Sequence, residues 1–296
     1  MQILTVVIGL IFILLLLSLL ATTLMELISS FFRLRGRNLL TALHNMLASC
    51  DTNATMLKDF QQNSLYKHLT QQYGQRSQGP PSYMAAETFQ SILFDIILKG
   101  EDFTQLKERI DALPDDDLRN VLNQLLRQSN HELNLFRLEV QNWYNNVMDR
   151  ASGWFKRFTQ KILLFIGLGI AVVFNADTIQ IFDTLNKDPE ALQQVVQMAE
   201  SYVNTRDQMT LGPPEGREFD VVLEDVKYLI SQELESVRSP LGLGWEQVEI
   251  ASLGWQDVLM KMLGFILTAL AVSLGAPFWF DLLRKLVNIR SSGDKP

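Results

Sequence analysis

Residues 3–25 read ILTVVIGLIFILLLLSLLATTLM, and no charged side chain interrupts them. An α-helix rises about 1.5 Å per residue, so the roughly 30 Å hydrocarbon core of a bilayer needs about 20 apolar residues. This run is long enough to cross a membrane. It is too long for the roughly 7–15-residue apolar core of a signal peptide, and no base precedes it, so the sequence favours a retained membrane anchor.

The charges that flank this run predict its orientation. Arg33, Arg35 and Arg37 follow it directly, and neither Lys nor Arg comes before it. Cytoplasmic flanks of membrane spans are enriched in Lys and Arg, so we expect Arg33 in the cytoplasm and the start of the run outside.

A second apolar run, Ile162–Ala176, follows Lys156, Arg157 and Lys161. The run alone is too short to span a bilayer. It reaches sufficient length if Lys161 snorkels to the headgroups and the helix continues through Thr178–Ile181. Its basic side is expected to be cytoplasmic.

A third run, Val258–Phe280, contains one charge, Lys261. Arg284, Lys285 and Arg290 follow it, so this end is also predicted to be cytoplasmic. Pro277 is expected to kink the span or to end its regular part.

Charge is distributed unevenly between the segments that these spans separate. Residues 33–161 contain 16 basic and 14 acidic side chains, a net +2, whereas residues 178–257 contain 5 basic and 15 acidic side chains, a net −10. The overall charge of −7 is therefore concentrated in the segment predicted to lie outside.

The predicted fold is all-α: a polytopic membrane protein with three transmembrane helices, a cytoplasmic helical lobe and a periplasmic helical hairpin. The predicted segments are a transmembrane helix at 1–30, a cytoplasmic helical domain with a long stalk helix at 31–157, a second transmembrane helix at 158–182, an acidic periplasmic hairpin at 183–256, a third transmembrane helix at 257–282, and a basic cytoplasmic tail at 283–296.

Helix-start signals appear in both water-exposed segments. Pro114-Asp115-Asp116-Asp117 precedes leucines at helical spacing, and acids in a first helical turn explain this triplet better than a metal site does. Asp188-Pro189-Glu190 is typical of an N-cap followed by Pro at the first helical position. The stalk helix is predicted from one continuous face formed by Phe136, Val140, Trp143, Val147, Ala151 and Trp154. Residues 211–216 are predicted to turn the chain within the hairpin.

Several stretches resemble motifs of an uncharacterised family of bacterial membrane proteins. They are Met148-Asp149-Arg150-Ala151-Ser152-Gly153-Trp154-Phe155-Lys156-Arg157, Pro81-Ser82-Tyr83, Asn175-Ala176-Asp177-Thr178, and Leu274-Gly275-Ala276-Pro277-Phe278-Trp279-Phe280-Asp281-Leu282-Leu283 with Lys285. The resemblance implies a bacterial inner membrane and no particular activity.

The candidate site residues are charged or aromatic side chains near the ends of the predicted spans. Ion pairing that fixes helix depth is the favoured role for these charges, with an ion pathway as the alternative, and anchoring to anionic headgroups is the role expected for the pairs on the stalk. The residues are Glu26, Arg33, Arg35, Asp149, Arg150, Trp154, Lys156, Arg157, Trp279, Asp281, Arg284 and Lys285.

No catalytic or phosphate-binding motif is recognisable in the sequence. The three histidines and Cys50 show no metal-ligand spacing. We therefore expect neither cofactor nor catalytic site, and favour a non-enzymatic scaffold or subunit of an oligomeric membrane assembly. The alternatives are an oligomeric channel or transporter and, third, a membrane-anchored hydrolase. The expected partners are the lipid bilayer, further copies or other membrane subunits, and no nucleic acid.

Overall fold

The computed structural model describes residues 2–49, 54–70, 79–206, 219–241, 243–245 and 254–293. Within these ranges the regular structure is helical, as predicted. The α-helices are α1 (Gln2–Phe31), α2 (Leu34–Leu47), α3 (Thr55–Gln62), α4 (Ser64–Thr70), α5 (Ala86–Leu98), α6 (Leu106–Asp111), α7 (Asp116–Gln128), α8 (Leu133–Val173), α9 (Thr178–Lys187), α10 (Pro189–Arg206), α11 (Phe219–Tyr228), α12 (Glu235–Leu241), α13 (Trp255–Ser273) and α14 (Ala276–Gly293). A 3₁₀ turn (Phe103–Gln105) precedes α6, and a π-helical stretch (Leu229–Leu234) joins α11 to α12.

The helices form two compact units. The first unit contains Met1–Phe31 and Phe158–Pro296, and the second contains Phe32–Arg157. Helices α1 and α13 are long and apolar enough to cross a membrane, and α8 with α9 forms a third candidate if this bent pair is counted as one span. The expectation of an all-helical chain with membrane-crossing helices is therefore confirmed at this level.

Helix α1 lies at the centre of the first unit. It is apolar on every side, and most residues between Val6 and Ala21 are buried by α9, α10, α11, α13 and α14. The rings of Phe12 and Tyr202 meet edge to face, with 5.6 Å between their centroids. Helix α10 thus packs along α1, and the outer hairpin that the sequence predicts for residues 183–256 stays a prediction. The predicted turn at 211–216 lies outside the described residues.

The third predicted span is two helices in the structure. Helix α13 ends at Ser273, and Gly275 has φ +87°, a left-handed conformation that favours glycine. Trp279 Nε1 donates to the carbonyl of Ala271 at 2.7 Å. Along a continuous helix these residues would lie about 12 Å apart, so the chain must turn sharply between them.

Helix α14 runs back along α1 after this turn. Ser18 Oγ lies 3.5 Å from the carbonyl oxygen of Val272, just before α14 begins. Near the other end of α14, Arg290 forms a 3.0 Å ion pair with Glu200, two residues before the Tyr202 that contacts Phe12. Helix α14 is therefore antiparallel to α1.

The Glu200–Arg290 ion pair bears on the predicted sidedness of these two segments, which stays a prediction. The sequence placed residues 183–256 in the periplasm and residues 283–296 in the cytoplasm. Two side chains 3.0 Å apart cannot lie on opposite sides of a hydrocarbon core roughly 30 Å thick. The chain turns at Gly275 after α13, so Arg284, Lys285 and Arg290 lie on a helix that packs along α1.

The second unit has its own core of large aromatic and aliphatic side chains. Phe89 stacks on Tyr144, with 4.6 Å between ring centroids, and Phe94 stacks on Phe136 at 5.5 Å. The Tyr144 hydroxyl donates to the Met84 carbonyl at 2.8 Å, and burial raises the pKa of this phenol above its usual value. Asp115, fully buried, caps α7 by accepting from Leu118 N at 2.8 Å, which confirms the helix-start interpretation of the aspartate triplet.

A labelling experiment tests whether residues near Glu200 and Arg290 lie on the same side of the membrane. Gln197→Cys and Asn288→Cys, each introduced into a Cys50→Ser background, replace exposed residues within one turn of Glu200 and Arg290. Because those two helices are held together, we expect both cysteines to react with an impermeant thiol reagent in intact cells, or both to be protected. If one cysteine reacts only from outside the cell and the other only after lysis, the packing of α14 against α10 is refuted.

Candidate functional site at a broken helix

The most polar buried cluster described in the first unit lies where α8 stops and α9 starts. Asn175 adopts a left-handed conformation with φ 49°. Ala176 N donates to the Ala171 carbonyl at 2.8 Å and Asn175 N to the Val172 carbonyl at 3.2 Å. This pair of bonds is the Schellman motif that ends many helices. The sequence prediction that one helix continues through Thr178–Ile181 is therefore wrong, and α9 is bent by 50° from α8.

Asp177 starts the new helix. Its Oδ1 accepts from Ile179 N at 2.8 Å and from Gln180 N at 3.2 Å, as an N-cap does. The side chain is 6% exposed, so these bonds stabilise a carboxylate that has little access to water. Asp177 Oδ1 therefore serves as the acceptor of the helix cap.

Helix α13 closes over the break through Thr268. The Thr268 hydroxyl donates to the Ala176 carbonyl at 2.7 Å and accepts from Thr178 N at 3.1 Å. The Thr178 hydroxyl lies 2.7 Å from the same oxygen. A break inside an apolar region leaves backbone groups unpaired, and Thr268 supplies partners for two of them.

Gly264, one turn before Thr268, allows α13 to approach the break. A Cβ at this position would lie 1.8 Å from Asp177 Oδ1, far inside van der Waals contact. Any side chain at 264 would therefore collide with the capping carboxylate. Gly167 has a similar role towards α13, because its Cβ would lie 3.1 Å from Val272 Cγ1.

Side chains from neighbouring segments complete the cluster. Asn175 Nδ2 donates to the Gly244 carbonyl at 2.8 Å, and Trp245 Nε1 donates to the Val172 carbonyl at 2.8 Å. Lys261, the single charge expected in the third span, lies 3.3 Å from Gln180 Oε1 and 5.4 Å from the Trp245 ring centroid. The ring attracts the ammonium group and offsets part of its desolvation.

The cluster holds helices together and contains no pairing of a nucleophile with a base. Its members are a capping carboxylate, two hydroxyls and amides that bond to backbone groups. No group of three or more His, Cys, Asp or Glu side chains that could hold a metal ion occurs among the described residues. The arrangement can fix the angle of a broken membrane helix.

The structure distributes the predicted site residues over both units instead of gathering them. Glu26 is half-buried on α1, while Asp281 lies 4.0 Å from Arg284 on α14, where Lys285 is exposed. Trp279 is 9% exposed, and its Nε1 donates to the Ala271 carbonyl. In the second unit, Arg33 has φ 51° between α1 and α2, and Arg35 is half-buried on α2. The exposed residues on α8 are Asp149, Arg150, Trp154, Lys156 and Arg157.

Sequence reasoning missed Thr268 and did not assign a role to residues 175–178. A signal for Thr268 was present, because Gly264 and Thr268 are spaced i, i+4 and so share one face of an otherwise apolar helix. No family model, curated protein or solved structure matches the chain. Function must therefore be argued from this geometry alone.

Replacement of Gly264 tests the close approach. We expect Gly264→Ala to destabilise the protein in detergent by about 2 kcal/mol or more, because the added methyl group overpacks the capped break. Gly169→Ala is the matched control, since no atom lies within 4 Å of a Cβ at that position. Alanine is the better helix former by about 1 kcal/mol, so the control is expected to keep or raise stability. The stability of both variants is measured by heating samples and monitoring the loss of folded protein by size-exclusion chromatography. Equal stability of the two variants would contradict the steric role of Gly264.

Proposed function

We propose that the chain is a non-enzymatic, integral membrane scaffold or subunit of an oligomeric membrane assembly. The second unit is assigned to the cytoplasmic side, because Arg33, Arg35 and Arg37 follow α1 and Lys156 and Arg157 precede the apolar part of α8. The motif resemblance supports a bacterial inner membrane as the location.

The observation that carries this proposal is the charged strip of α14, which consists of Asp281, Arg284, Lys285 and Asn288. These residues share one exposed face, whereas Ala276, Phe280, Leu283 and Val287 form the opposite, buried face. Since α14 packs along α1, the strip lies beside the apolar run at 3–25.

A charged strip at this depth is costly if lipid surrounds it. Each charged side chain at the centre of a bilayer costs about 2.5–3.5 kcal/mol on insertion scales, and such residues usually face protein or water. Helix α13 is apolar on its exposed side, where Leu259, Leu263, Ile266 and Leu270 are each 46–54% exposed along one stripe. In a lone copy surrounded by lipid, the apolar stripe of α13 would lie in a favourable environment, but the charged strip of α14 would not. Association with further subunits would cover the α14 strip with protein and leave the α13 stripe in lipid or in an apolar interface.

Spin labels at the two surfaces test the proposal. We expect Lys285→Cys, labelled in a Cys50→Ser background, to be shielded from the lipid-soluble relaxant oxygen because protein or water covers α14. Leu263→Cys is the control on α13 and should be freely accessible to oxygen. Native mass spectrometry should give more than one subunit per particle. A monomeric mass together with equal oxygen accessibility at 285 and 263 would reject the assembly.

An oligomeric channel is the second candidate, because the same charged strip would suit a water-filled axis between copies. In this case reconstituted protein should conduct ions, and Lys285→Glu should shift the reversal potential towards cation selectivity. Lys107→Glu makes the same charge change at an exposed position in the second unit and should leave selectivity unaltered. An oligomer that carries no current under voltage or tension would exclude the channel and retain the scaffold.

A further inference from the structure

A cavity lies in the second unit, among residues 38–154. It is a cleft of about 510 Å³ between α2, α7 and α8. This volume falls within the roughly 300–1,000 Å³ that is typical of small-molecule sites.

The cleft has an apolar floor and a polar rim. Met46 and Leu118 are buried in its floor, and the half-buried Trp143 also lines it. The amides of Asn45 and Asn120 lie on the rim and are exposed. Neither amide has a side-chain hydrogen-bond partner among the described residues, so both can donate to and accept from a hydroxylated ligand.

The two ends of the cleft differ in charge. At one end Ser49 Oγ donates to Asp117 Oδ2 at 3.0 Å. At the other end lie Arg150 and Trp154, next to the contact between Asn38 and the Ala151 carbonyl. Arg150 has no ion-pair partner in the part of the chain that the structure describes, so its guanidinium can bind a phosphate in bidentate geometry.

The position of Arg150 along α8 indicates which phosphate could reach it. Helix α8 is unbroken from Leu133 to Val173, and its apolar part begins at Ile162. Trp154 precedes Ile162 by eight residues, or about 12 Å of helix. Trp154 is 63% exposed, and Lys156 and Arg157 follow it. Exposed tryptophan and basic residues at this distance from an apolar segment are typical of the headgroup layer.

We propose that this cleft binds the headgroup of an anionic, hydroxylated phospholipid. Arg150 binds the phosphate, Trp154 lies beside the glycerol backbone, and the headgroup extends over Trp143 to the amides of Asn45 and Asn120. The acyl chains stay in the bilayer. The inference rests on the cytoplasmic, membrane-adjacent position assigned to the second unit, but not on the oligomeric state.

The test measures lipid retention by native mass spectrometry of the full chain. Protein exchanged into micelles with equal phosphatidylglycerol and phosphatidylcholine should retain phosphatidylglycerol preferentially. Arg150→Gln and the pair Asn45→Leu and Asn120→Leu should each weaken this retention about tenfold. Lys156→Gln removes a neighbouring exposed charge that lies outside the cleft and interacts with lipid only at the surface, so it should weaken retention less than Arg150→Gln does. The mass spectra also report subunit number, so failure of the assembly and failure of lipid binding are seen separately.

Three results would overturn the proposal. Equal losses for Arg150→Gln and Lys156→Gln, with no effect of the asparagine changes, would show general attraction to a basic collar. Displacement of the lipid by an equal concentration of glycerol 3-phosphate would show a site for a soluble phosphate. Full retention in the asparagine and arginine variants, with a second copy cross-linked to a cysteine at 45, would show that the cleft binds protein.

Discussion

The absence of any polar face on α1 is the constraint on which the first unit depends. A helix that is apolar all round must be enclosed by protein or lipid on every side. In this structure five other helices enclose the stretch from Val6 to Ala21. Amphipathic helices such as α10 and α14 can therefore have a buried face here without forming a core of their own. Their polar faces then determine what the outside of the unit can contact.

Enclosure of α1 also explains why the first unit contains breaks. A chain that surrounds one central helix with shorter ones must reverse direction, and each reversal within an apolar region leaves backbone groups without partners. The structure supplies partners at both breaks: Asp177 and Thr268 where α8 meets α9, and Trp279 Nε1 for the Ala271 carbonyl where α13 meets α14. These polar side chains are the difference between this set of helices and a simple apolar membrane anchor, which has no such hydrogen bonds.

Much of the helical content could be predicted from sequence, because it follows from local signals. The caps at Asp115 and Asp188 and the continuous face of α8 involve residues within one or two turns of each other. The reversals depend on contacts between residues far apart in sequence, such as Thr268 with Ala176 and Trp245 with Val172, which hydropathy does not encode. Flanking bases predicted the orientation of a third span, but hydropathy gave no sign that the chain turns at Gly275 and that α14 packs along α1. Arg150 was identified as a candidate, whereas its cleft depends on the packing of α2, α7 and α8.

The contact between Gly264 and Asp177 has an evolutionary consequence. With Asp177 Oδ1 only 1.8 Å from the place of a Cβ at 264, the two positions cannot vary independently. A descendant of this chain with alanine or serine at 264 should have a smaller capping residue than aspartate at 177, or should have lost the break between α8 and α9 altogether. Among related sequences, positions 177 and 264 should therefore change together, although they lie 87 residues apart, because the two residues are in contact.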